Sequence, residues 1–192
     1  MLQRLNSEKA FEPSDKSQLA VLNTDSDRVE QIITLKGTNP VTEIKPFLNG
    51  FLVGEAGKLG WLDGGVEFFD SNFESLGWIT TEAKLGGDIV DCLPLDRDRG
   101  LAIVAKDVFG SKPSTQLVLF SLKNGSLISV VRDSGNYSLQ QLLFDEERKV
   151  VFLSDRDPKK PGVFALDSES LKPIYSGYYQ TGLPPYHMVL AE

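Results

Sequence analysis

The feature that most limits how this chain can fold is a polar turn followed by a short apolar run, which returns about every fifty residues. Gly50-Phe51-Leu52-Val53-Gly54, Gly100-Leu101-Ala102-Ile103-Val104 and Lys149-Val150-Val151-Phe152-Leu153 each open this way. A second run follows each opening: Gly65 to Asp70, Gln116 to Ser121, and Gly162 to Asp167. Then comes a tight turn and a third run, beginning at Leu76, Leu127 and Leu171. Runs of four to six apolar residues bounded by Asn, Asp, Gly and Ser are strand signals, and no stretch of ten or more reads as a helix. Asn124-Gly125 is the sharpest turn signal, because both residues tolerate the positive φ of a type I′ hairpin.

A further run precedes each opening: Val41 to Leu48, Ile89 to Leu95 and Ser138 to Phe144. Gln18 to Asn23 and Val29 to Leu35 read as the last two strands of a unit begun earlier, and Tyr186 to Leu190 as the first strand of one left unfinished. One four-stranded sheet of this size cannot bury both faces alone, so stacking of such units supplies the core. Residues 1–17 are expected to be an arm or edge strand, with Leu2, Leu5, Ala10 and Phe11 as their apolar content, and 18–192 the repeat domain. A two-sheet sandwich with many hairpins is the alternative architecture.

This organisation resembles the degenerate β-propellers. Phe164-Ala165-Leu166-Asp167-Ser168-Glu169-Ser170-Leu171 and Thr181-Gly182-Leu183-Pro184-Pro185 carry the likeness. It is closer to surface-layer and lactonase-like blades than to the WD type, since no Trp-Asp pair ends a strand. The resemblance implies an all-β propeller of four-stranded antiparallel blades. That propeller is either four-bladed, with the termini sharing a blade and residues 1–12 adding a strand, or part of a larger ring.

Composition narrows the function. Twenty Lys and Arg against 27 Asp and Glu give a net charge of −7, the wrong sign for a nucleic-acid backbone. No apolar run approaches the length of a membrane span, and the start does not read as a signal peptide. A single cysteine, Cys92, excludes an internal disulfide.

Chemistry-bearing patterns are few. His187 is the only histidine, so ordinary multi-histidine metal sites are excluded. Aligned strands put it level with Cys92 and Gln141, where a Cys–His nucleophile pair competes with plain packing. Asp96-Arg97-Asp98-Arg99-Gly100 lacks the later ligands of a calcium loop and reads as a polar turn. No nucleophile elbow or phosphate-cradling glycine loop is present. Neither a catalytic set nor a metal or cofactor site is expected.

Aromatic residues in glycine-rich connections, Trp61, Tyr178, Tyr179 and Tyr186 with His187 beside them, are the candidate ligand- or partner-binding residues, against a reading in which the rings cover sheet ends. The expected function is a non-catalytic propeller that binds a protein or ligand, with another protein or a second copy as partner. The alternatives are a lactonase-like hydrolase and a carbohydrate or ligand sensor.

Overall fold

Alternating burial along short strands, broken by Asx turns, makes this chain a series of antiparallel meanders. The computed structural model describes residues 1–9 and 12–191. Ala10 and Phe11, part of the apolar content expected of the N-terminal arm, lie outside the described residues.

The N-terminal pieces β1 (Leu5–Asn6) and β2 (Glu12–Pro13) pair with each other. Strands β3 (Gln18–Asn23) and β4 (Arg28–Thr34) form a hairpin. A four-stranded meander follows, built from β5 (Lys45–Phe47), β6 (Gly50–Glu55), β7 (Gly65–Phe69) and β8 (Ser75–Thr81). After α1 (Glu82–Leu85), capped by Thr81 and Gly86, come β9 (Asp88–Pro94), β10 (Arg99–Lys106), β11 (Ser114–Ser121) and β12 (Leu127–Asp133). The last meander is β13 (Leu139–Asp145), β14 (Val150–Asp155), β15 (Gly162–Asp167) and β16 (Pro173–Gln180).

Strand period two gives each sheet two faces, and the core lies between sheets. Leu19, Ile33 and Leu35 from the β3–β4 side pack on Val53 and Phe69. The opposite face of β5–β8, with Leu52 and Val66, meets Cys92, Ala102, Val104, Val118 and Phe120. On the far side of β9–β12, Leu93, Leu101, Ile103 and Leu117 meet Leu142, Val151, Leu153 and Phe164. Each Val, Leu, Ile or Phe side chain moved from water to these layers contributes about 1.5–3 kcal/mol.

The all-β reading holds, but the closed propeller does not. The described residues form five separate sheets of two, four, four, two and four strands, and none closes on itself or on another. The expectation of repeated, equivalent blades is corrected on the same ground, because β3–β4 stops at two strands. Two local features keep the ends from sharing a sheet. Among the described residues, β1 pairs with β2, and the chain before them meets β3 at the Leu2–Gln18 bridge. Residues 186–190 form no strand. Pro184 and Pro185 lead into that segment without N–H donors, and the Met188 amide donates to the Gln141 side chain (2.5 Å) instead of to a ladder.

The Asn124-Gly125 turn is also a correction in detail. Gly125 has φ +70°, while Asn124 is not among the residues with positive φ. The turn therefore places a single left-handed residue in a longer loop, not two in a type I′ turn. Space as well as φ requires glycine there, since a Cβ would fall 2.0 Å from the Ile79 carbonyl oxygen.

Candidate functional site

The first strands of the three meanders, β5, β9 and β13, sit against one another, with β9 touching both of the others. Where the expected propeller would have a channel, they enclose two clefts separated by a layer of charge.

One cleft, of about 150 Å³, opens beside Glu43, Asp91, Gln141, Tyr186 and His187. Lys45 of β5, its side chain only 9% exposed, sets its Nζ 2.8 Å from Oε2 of Glu43, which lines this cleft. That hydrogen bond is the main reason the Glu43 carboxyl is held below its usual pKa. Asp91 is buried on β9. Its Oδ2 accepts from the Leu142 amide of β13 (2.7 Å) and its Oδ1 from the Cys92 amide (2.9 Å). Burial pushes its pKa up to about 6, against the opposing pull of Lys45 and these two amides. Asp91 thus ties two sheets together through a backbone donor.

His187 does meet Gln141, as the strand alignment expects. Gln141 Nε2 lies 3.2 Å from His187 Nδ1, and Glu43 Oε1 lies 3.6 Å from the same nitrogen. With the Gln141 amide donating, a neutral ring carries its proton on Nε2. Cys92 does not join them. It is fully buried, its nearest polar partner is Thr42 Oγ1 at 4.0 Å, and burial pushes its thiol up to about 12. Adjacent residues on a strand face opposite ways, so Asp91 turns toward the charged layer while Cys92 enters the core. The Cys–His pair is therefore absent.

The second cleft is a cavity of about 490 Å³ at the opposite end of these strands. Phe47, Leu93, Leu95 and Phe144 give it apolar walls, and Lys45 and Arg97 line it as well. Of the polar turn that follows β9, Asp96 Oδ2 holds Arg99 Nε (2.7 Å) and Asp98 holds Lys123 (2.8 Å). Arg97 is left without an ion pair among the described residues. Sequence reasoning missed this cavity because its polar members read as an ordinary turn and its walls as core. No local pattern signals it, since Asp98 is paired with Lys123 on a different turn.

The expected aromatic residues are dispersed. Trp61 is 67% exposed in the 56–64 connection, under Lys58 Nζ at 4.3 Å from its ring. Tyr178 packs on Phe164, with ring centroids 4.5 Å apart, and donates to the Lys160 carbonyl. Tyr179 is its neighbour on β16 and half-exposed. Tyr186 stacks under the Arg156 guanidinium at 4.3 Å and, with His187, lines the smaller cleft. The propeller that would display these loops around a channel mouth, as binding module, lactonase-like enzyme or sensor, is overturned with its ring, since the sheets of the described residues do not close. Among the described residues, no group of three or more His, Cys, Asp or Glu is placed to hold a metal ion. No helix among them is long and apolar enough to cross a membrane.

No family model matches the chain, and no curated protein matches it. It is similar to a solved structure described as the crystal structure of a nidogen/laminin complex, with TM-score 0.58 and 8% identity. The match takes in 88% of this chain and 60% of that one, so this chain spans about three fifths of the solved chain's length. At such identity the likeness is one of fold alone.

Proposed function

We propose that the chain binds a small amphipathic molecule in the cavity between β5, β9 and β13. The observation that carries this reading is the cavity itself. At about 490 Å³ it falls within the roughly 300–1,000 Å³ of small-molecule sites. Three sheets build it jointly, and its aromatic and aliphatic walls stand beside four charged residues, Lys45, Asp96, Arg97 and Glu146. A reporter tests it. Phe144→Trp puts an indole on the cavity wall, and a bound apolar probe such as anilinonaphthalene sulfonate should quench or shift that emission saturably, relative to the unsubstituted protein. Reporter emission unchanged at high probe concentration removes the reading.

One separate observation favours a second reading, association with another copy. Register pairs Ala20 with Ile32 and Leu22 with Val29, which gathers these apolar side chains on the side of β3–β4 away from the core. Leu22, Val29 and Ile32 are 63%, 53% and 48% exposed. A contiguous apolar sheet face is what a partner chain covers. Sedimentation equilibrium should give a mass that rises with concentration above 21.2 kDa, and Ile32→Glu should return it to the monomer. A monomer at every concentration would remove this reading.

A further inference from the structure

We propose that the cavity's ligand is a free apolar amino acid, an inference that rests on the ligand-binding reading above and narrows it to one chemical class. Two turns bound the cavity, one after β9 and one after β13, and each brings a single unpaired charge to it. On the first, Asp96 and Asp98 are taken by Arg99 and Lys123, leaving Arg97. On the second, Arg148 is taken by Asp145 (2.6 Å), leaving Glu146. Lys45, on the inner wall, is held by Glu43. Among the described residues the cavity therefore carries one free cation and one free anion beside walls of Phe47, Leu93, Leu95 and Phe144.

That combination selects by sign. An amphipathic anion would be drawn to Arg97 but repelled by Glu146, and an amphipathic cation would meet the reverse. A zwitterion satisfies both, with its carboxylate on the planar fork of Arg97 and its ammonium on Glu146. Its side chain then enters the apolar part, where burial supplies the affinity. A free amino acid carries both charges on groups bonded to one carbon, at one end of an apolar body. An internal peptide segment has neither charge.

Calorimetric titration of the whole chain with L-phenylalanine, N-acetyl-L-phenylalanine, L-phenylalaninamide, glycine and benzyl alcohol tests this. Phenylalanine should bind about tenfold more tightly than either blocked analogue, since each lacks one charge-assisted contact, and glycine should not bind. Arg97→Ala should erase the preference over the amide, and Glu146→Gln the preference over the acetyl form. Both positions are exposed turn residues, so thermal melts of the variants should match the parent protein. Phenylalanine binding no better than its blocked analogues, or a preference that survives both substitutions, overturns the proposal. If benzyl alcohol alone binds, the amino-acid class fails while the cavity reading stands. If none of the five binds, both fail.

Discussion

Unfolding free energy should fall as pH rises from about 5 to 9, and Glu55→Gln should remove much of that fall. Glu55 on β6 and Glu67 on β7 are both fully buried. Glu67 Oε2 accepts from the Lys36 amide (2.9 Å), and its other oxygen accepts from the Ser75 hydroxyl. Glu55, in contrast, has no donor within hydrogen-bond geometry for either oxygen. Burial, and then the neighbouring Glu67, raise its pKa from 4.5 to about 9. Glu82 is also buried and is raised to about 8, although the Gly64 and Ile89 amides hold its two oxygens.

The sign follows from proton counting. Between an unfolded value of 4.5 and the folded value, the native state keeps a proton that the unfolded chain releases. The stability from each protonated acid is fully present below 4.5 and is lost as pH rises through the folded pKa. The loss is at most about 1.4 kcal/mol per pH unit for each group. Gln keeps the shape of Glu55 without the proton to lose. Urea melts at pH 5, 7 and 9 should show a shallower pH dependence for Glu55→Gln. Parallel curves for the two proteins would show that Glu55 is ionised in the fold.

The largest single-residue loss of stability should come from the layer between the β5–β8 and β9–β12 sheets. Phe120 is fully buried there, and Phe120→Ala should cost about 3–5 kcal/mol through lost transfer energy and the cavity left behind. A specific neighbour makes the claim stricter. A Cβ on Gly100 would sit 2.8 Å from the Phe120 ring, so Gly100→Ala in the native background forces the ring to move. In the Phe120→Ala background the same methyl enters vacated space. The double variant should be less destabilised than the sum of the singles, by about 1 kcal/mol or more. Additive losses in chemical denaturation would mean that this ring does not lie over that strand.

The sequence showed its strands plainly, because the turns announce themselves. Asp70, Asn124, Asp145 and Asp167 each hold local amides in the loops that join one strand to the next, and such bonds are chosen by neighbours in sequence. Closure depends on partners more than a hundred residues apart, and nothing in Tyr186–Leu190 as a local string shows that Gln141 will capture its backbone. The buried charges were hidden for a related reason. Lys45, Glu55, Glu67 and Asp91 sit where alternation reads a solvent-facing position, yet in this stack both faces of the inner sheets are covered. Gln141 does lie beside His187, although Tyr186–Leu190 forms no strand to align, whereas Cys92 was not excluded until the facing of β9 was fixed.

In the proposed binding mode a ligand sits where β5, β9 and β13 meet, away from the glycine-rich aromatic loops. Amide chemical-shift mapping by NMR during titration with L-phenylalanine tests it most directly. The shifted signals should cluster at Phe47, Leu93, Leu95, Arg97 and Phe144. Shifts confined to Trp61 and its 56–64 connection, with those five residues unmoved, would contradict it.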